Sequence, residues 1–146
     1  MKERVFLDSS VIIAFFSGNR KAVNLIDKLQ DYELCICDIV FSEVVYKLMV
    51  LKYLENKEKF EFHKFKREIS EFLQLYDIVL EFIKDAKITI LPTSLDIVIE
   101  SIELGKKYKL LPNDALIVSL CKHYGIRKIA TFDKDFEKVE FLEIVK

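Results

Sequence analysis

Asp8 in VFLDSS, Glu43 in FSEVVYKL, Asp114 in LPNDALIVSL, and Asp133 with Asp135 in IATFDKDF each place a carboxylate directly beside strongly apolar sequence. Carboxylates gathered in one crevice cannot all stay ionised without compensating charge, so some take up protons or a cation enters. An all-oxygen set suits a hard divalent cation, Mg²⁺ or Mn²⁺, which keeps several waters and is shared with substrate phosphate. Such an ion acidifies bound water and stabilises charge on phosphoryl oxygens.

Each acid alone has a simpler reading. Asp8, Ser9 or Ser10 can cap the helix that follows, and on that stretch alone a cap is the favoured role of Asp8. Asp114 in the first turn of a helix interacts favourably with the helix dipole. Glu43 fits a surface position at helical spacing, and Asp133 or Asp135 fits a polar turn. Taken together the pattern is harder to dismiss. Two of the acids follow apolar strands and two sit near the openings of helices that cross the sheet, so all can face one crevice.

The elements that must position them alternate along the chain. RVFL, ELCIC and KITILP read as buried strands, and RKIATF and VEFLEIV as two more near the end. Between them SSVIIAFF and RKAVNLIDKLQ read as helices broken at Ser17-Gly18-Asn19, followed by IVFSEVVYKLMVLKYL with Asp38 as its cap. After ENKEK, the stretch FEFHKFKREISEFLQLY places Phe62, Phe65, Ile69, Phe72, Leu73 and Tyr76 on one helical face. TSLDIVIESIELGKKY is expected to stop near Gly105, and PNDALIVSLCKHYG to begin on a proline and end on a glycine. Strands alternating with helices imply mainly parallel strands joined by right-handed crossovers, hence a three-layer α/β/α domain spanning 1–146. No linker, low-complexity segment or internal repeat interrupts it.

Composition narrows the function classes. The chain has 146 residues, 51% of them hydrophobic, and a formal charge of -1, so no overall basic field marks it as a nucleic-acid binder and any such contact needs a local patch. Cys35, Cys37 and Cys121 lie in apolar sequence and read as reduced core residues rather than a disulfide framework or zinc site. No signal peptide and no membrane-length apolar run is visible, which predicts a soluble, cytoplasmic protein. Between Lys47 and Arg67 basic side chains outnumber acids. Most read as a solvated helix face laced with ion pairs, with Lys47 and Arg67 as candidate phosphate contacts. His63 reads as a surface residue and His123 as a favourable helix-end residue.

A strand ending in Asp-Ser-Ser, a helical Ser-Glu-Val-Val, an Asn-Asp-Ala-Leu-Ile-Val opening a helix and a terminal Ala-Thr-Phe-Asp-Lys-Asp-Phe, in this order, resemble the PIN-domain nucleases. Within that family the resemblance is to VapC-like toxins of type II toxin-antitoxin pairs, and it spans nearly the whole chain. It implies a PIN-like fold and a metal-dependent ribonuclease in which Asp8, Glu43, Asp114 and Asp133 match the four acidic positions, with Asp135 as the alternate for the last. Asp8 and Asp114 are then expected nearest the Mg²⁺ or Mn²⁺, with Glu43 and Asp133 completing the site. Ser9 matches a small hydroxyl residue after the first acid and Thr131 one before the last. These two, with Asn113 beside Asp114, are expected to hold carboxylates in place.

Two other acidic-pocket folds fit less well. A haloacid-dehalogenase-type phosphatase needs a second acid at the position of Ser10, and a receiver domain needs an acid after its third strand, where the sequence reads ILPTS. The competing reading from another class is a PIN fold used for binding or scaffolding, with little or no catalysis. The resemblance also implies an RNA substrate, an antitoxin partner and a homodimer. Ile69, Phe72 and Leu73 are expected in the core, and Phe60 and Phe62 exposed and available to an antitoxin peptide.

Overall fold

The computed structural model describes residues 2–146. Five strands form one sheet in the order β3-β2-β1-β4-β5, and every neighbouring pair is parallel. They are β1 (Arg4–Leu7), β2 (Glu33–Cys37), β3 (Thr89–Leu91), β4 (Lys128–Ala130) and β5 (Glu143–Val145). In β1, Val5, Phe6 and Leu7 are all fully buried, which explains why the central strand is a continuous apolar run rather than an alternating one.

The helices are α1 (Ser9–Phe16), α2 (Arg20–Lys28), α3 (Asp38–Leu54), α4 (Phe62–Arg67), α5 (Gln74–Asp85), α6 (Leu95–Tyr108) and α7 (Pro112–His123). In this strand order, right-handed crossovers put α1 to α5 on one face of the sheet and α6 and α7 on the other, completing the three layers. The caps follow the local chemistry. Asn19 accepts a bond from the Ala22 N–H at the start of α2, Ser94 accepts one from Ile97 at the start of α6, and Pro112 occupies the first turn of α7.

Several boundaries differ from the sequence reading. The segment 60–76 is not one helix: α4 ends at Arg67, a 3-10 turn covers Ile69–Glu71, and α5 then runs on through Asp85. The break rotates the apolar set off a single face. Phe65 and Phe72 are buried with their rings 5.5 Å apart, whereas Phe62, Ile69, Leu73 and Tyr76 are exposed. Ile69 and Leu73 are therefore outside the core, and Phe60 is half-buried, packed 5.3 Å from the Phe65 ring and 5.6 Å from Tyr53.

Helix α6 passes straight through Gly105 and ends instead at Tyr108, capped by Lys109, whose φ of 55° is left-handed. Gly105 serves packing: a Cβ there would stand 3.2 Å from the Cβ of Ala115, so its absence lets α6 and α7 approach closely. The stretch VEFLEIV is strand only over its last residues. Ahead of it a second 3-10 turn, Lys134–Lys138, carries the chain back so that β5 lies parallel to β4.

Candidate active site

Chain direction reverses across the sheet between β1 and β4: β1 to β3 step outward on one side, and the chain then returns to place β4 and β5 on the other. Beyond the carboxyl ends of parallel strands, such a switch point leaves a crevice where ligands bind. Leu7 pairs with Ala130 at this point, and the next residues, Asp8 and Thr131, stand side by side.

Asp8 occupies the N-cap position of α1 but does not cap it. Its backbone N–H donates to the carbonyl of Ala130 at 3.0 Å, and its side-chain Oδ2 accepts from two hydroxyls, Thr131 at 2.7 Å and Ser10 at 2.8 Å. Asp8 is 5% exposed and Thr131 4%, so this is a buried carboxylate oriented by neutral donors. The same hydroxyls fix the loop after β4, because Ser10 Oγ accepts from the Phe132 N–H at 3.0 Å and Thr131 Oγ1 from the Asp133 N–H at 2.9 Å.

Ser9, expected in this role from its position after the first acid, makes no hydrogen bond to the acids among the described residues. Ser10 takes the place. Successive helix residues point about 100° apart, and in the first turn of α1 it is the second side chain that folds back over Asp8. Two adjacent serines gave no means of choosing between them without that geometry.

The other acids converge from three further elements. Glu43 sits in the second turn of α3, where its Oε2 accepts from the Asn113 side-chain amide at 3.1 Å. Asp114 lies in the first turn of α7. Asp133 precedes the second 3-10 turn and caps it, its Oδ1 accepting from the Asp135 N–H at 2.9 Å. Asp114, Asp133 and Asp135 bring one carboxylate oxygen each within 4.8 Å of one another, so Asp135 stands with Asp133 instead of replacing it. Asp8 and Glu43 act on the same centre through their charges on Asp114.

The electrostatics follow from the crowding. Partial burial, then the charges of Asp133, Asp8, Glu43 and Asp135 in that order, push the Asp114 carboxyl from 3.8 up to about 6. A first-turn position favours the ionised form, yet desolvation and four like charges outweigh it. None of the ion pairs among the described residues uses any of these five acids, so no lysine or arginine neutralises the cluster. The cysteines offer no alternative nucleophile: burial raises Cys35 and Cys37 to about 11 and pushes Cys121 further up.

The basic segment is only partly free. Lys57 pairs with Glu68 and Lys64 with Glu61, while Lys66 lies over the Phe62 ring. Lys47 is exposed one helical turn beyond Glu43, and Arg67 is exposed at the end of α4.

A parallel α/β sheet with an acid cluster at its switch point defines the class, and the chain belongs to the PIN-domain family, which it matches over residues 5–142. More particularly, it is 42% identical to Ribonuclease VapC6 of Methanocaldococcus jannaschii, covering 97% of this chain and 96% of that relative. It is also 42% identical to Ribonuclease VapC2 of the same organism, over 99% of this chain and 95% of the relative. Among solved structures it is similar to Mycobacterium tuberculosis VapC20, a sarcin-ricin-loop-cleaving toxin, with a TM-score of 0.67 and 14% identity, covering 97% of this chain and 99% of that one. It is similar as well to VapBC2 from Rickettsia felis bound to a promoter DNA fragment, with a TM-score of 0.65 and 19% identity over 97% of each chain. At those identities the two structures speak for the fold.

Proposed function

We propose that this chain is a metal-dependent endoribonuclease, the toxin of a type II toxin-antitoxin pair. The observation that carries the reading is the convergence of Asp8, Glu43, Asp114, Asp133 and Asp135 on the switch point with no cation paired to them. The near full-length similarity to two ribonucleases supports the choice of RNA as substrate.

The donor set fits Mg²⁺ or Mn²⁺. It is all oxygen, and burial together with the repulsion of the neighbouring acids raises the Asp114 carboxyl to about 6, a cost to the ionised form that a divalent ion offsets. Asp114, Asp133 and Asp135 would hold the ion, with Asp8 and Glu43 adding negative charge at its margin. When bound, the ion supplies an activated water and neutralises charge on the scissile phosphate.

The chain's own residues do the positioning. Ser10 and Thr131 fix the Asp8 carboxylate, Asn113 fixes Glu43, and the turn at Asp133 fixes the trio. Glu43 and Asp8 are placed to orient an attacking water, and exposed Lys47 and Arg67 to attract the strand.

The protein acts in the cytoplasm, with the nuclease fold carried by residues 5–142. Three buried, unbridged cysteines suit a reducing compartment, and no helix among the described residues is long and apolar enough to cross a membrane. Two exposed apolar faces suit protein partners. Leu95, Val98, Ile99 and Ile102 on α6 suit a second copy of the chain, and Phe62, Leu73 and Tyr76 around α4 and α5 suit an antitoxin segment. The test of the catalytic reading is cleavage of single-stranded RNA with Mg²⁺ or Mn²⁺ and its loss in EDTA. Activity undiminished in EDTA overturns it.

A further inference from the structure

A cavity of about 530 Å³ opens beside the acid cluster, walled by α2 on one side and by the loop after β4 and the second 3-10 turn on the other. Its size falls within the roughly 300–1,000 Å³ typical of ligand pockets. Thr131 and Asp133 line it, so it shares a wall with the acid cluster. Its remaining chemistry is opposite in sign. Lys21 and Lys28 project from one face of α2 two turns apart, with buried Leu25 between them, and Lys134 and Lys146 face them across the opening. Glu137 lines it too, which leaves four lysines against the carboxylates of Asp133 and Glu137. None of the four lysines takes part in an ion pair among the described residues.

The wall also carries Phe132, 44% exposed although it follows a buried strand. Its backbone is pinned by the bond from its N–H to Ser10 Oγ, the same hydroxyl that orients Asp8. The main chain that carries the ring is thereby held in fixed register with Asp8. An exposed aromatic flanked by unpaired lysines is the arrangement that binds single-stranded nucleic acid, the bases stacking on the ring and the phosphates meeting the cations.

We propose that this cavity is the subsite for the nucleotide adjoining the scissile phosphate, with its base stacked on Phe132 and its phosphate held by Lys21, Lys28 and Lys134. The inference rests on the ribonuclease reading and adds where the strand runs: from the acids over Phe132 toward α2. Sequence inspection pointed instead to the basic segment near α4, because Lys21 and Lys28 are separated from Phe132 by more than a hundred residues and only the β1 and β4 pairing joins them.

The test measures two quantities on the full chain, with a fluorescently labelled short single-stranded RNA of mixed sequence as probe. The first is equilibrium binding in EDTA; the second is steady-state cleavage with Mn²⁺. Phe132→Leu, which keeps apolar bulk but not the stacking face, is expected to weaken binding about tenfold, and Phe132→Tyr to retain it. Lys21→Ala with Lys28→Ala is expected to weaken binding and flatten its dependence on salt, the slope of log K against log salt falling by about 1.4 for two lost phosphate contacts. In cleavage, KM rises by similar factors with kcat little changed. Binding and KM unaltered in the Phe132→Leu and double lysine variants, with melting temperatures preserved, overturn the subsite even if the parent cleaves RNA. A parent that binds the probe with this sensitivity but fails to cleave keeps a nucleotide-binding cavity at Phe132 and the lysines while removing the ribonuclease reading and, with it, the place beside a scissile phosphate. An effect confined to affinity for an acidic peptide, with RNA binding unchanged, also overturns it.

Discussion

Thr131 Oγ1 donates to Asp8 Oδ2 at 2.7 Å across 123 residues of sequence, joining the ends of the two central strands through one buried hydrogen bond. Ser10 completes a fork on the same oxygen. Removing either hydroxyl leaves that carboxylate oxygen one donor short and also takes away an acceptor that holds the loop after β4, for the Phe132 N–H in the case of Ser10 and the Asp133 N–H in the case of Thr131. Thr131→Val and Ser10→Ala are each expected to lower cleavage by roughly 10- to 100-fold, as loss of ligand-orienting partners does. Thr131→Ser should retain most of the activity, and Ser9→Ala should have little effect. Single-turnover rates with Mn²⁺ measure all four.

The raised Asp114 carboxyl has a consequence for stability. In the unfolded chain it titrates near 3.8, and in the metal-free fold at about 6, so the fold binds the extra proton between those values. Stability of the metal-free protein therefore declines as pH rises through that window, and the loss persists above it. Asp114→Asn is expected to melt higher than the parent at about pH 8, with the difference narrowing toward about pH 4. Added Mg²⁺ or Mn²⁺ should stabilise the parent at the higher pH and lose that effect as the acids protonate. Thermal melts across pH, with and without the ion, give the comparison.

Asp133 and Asp135 differ in how they are held. Asp133 is partly buried and caps the turn through its own side chain, whereas Asp135 is exposed. Asp133→Asn is expected to reduce cleavage more than Asp135→Asn, and both should raise the Mn²⁺ concentration needed for half-maximal rate. The reverse order in a metal titration assigns the principal role to Asp135.

Assembly is testable at the α6 face. Light scattering is expected to give twice the 17.2 kDa chain mass. Ile99→Glu should reduce it to one chain by placing a charge in the apolar contact, while Phe62→Glu should leave it unchanged. A monomer at micromolar concentration removes the dimer; dissociation by Phe62→Glu moves it to the α4 and α5 side.

What the sequence made legible was local and ordered. Apolar runs at β1 and β2, the break at Gly18 and the proline opening α7 each declare themselves within a few residues, and the short parallel strands could be placed from them. The acids were visible because each interrupts an apolar stretch. Less legible was anything decided by contact between distant segments. Gly105 looks like a helix stop until Ala115 packs against it, and the face of Phe62 to Tyr76 looks continuous until the 3-10 turn at Ile69 rotates it. The choice of Ser10 over Ser9, and the gathering of Lys21, Lys28 and Phe132, depend on strand order rather than on spacing.

The most direct test of the acid cluster as a metal-dependent ribonuclease centre is the cleavage rate of single-stranded RNA by the parent, Asp8→Asn and Asp114→Asn under saturating Mn²⁺, with circular dichroism to verify the fold of each. Cleavage by the parent that disappears in EDTA, with both folded variants at least about 100-fold slower, is the predicted result. Equal rates in parent and variants, or a parent that needs no divalent ion, would contradict it.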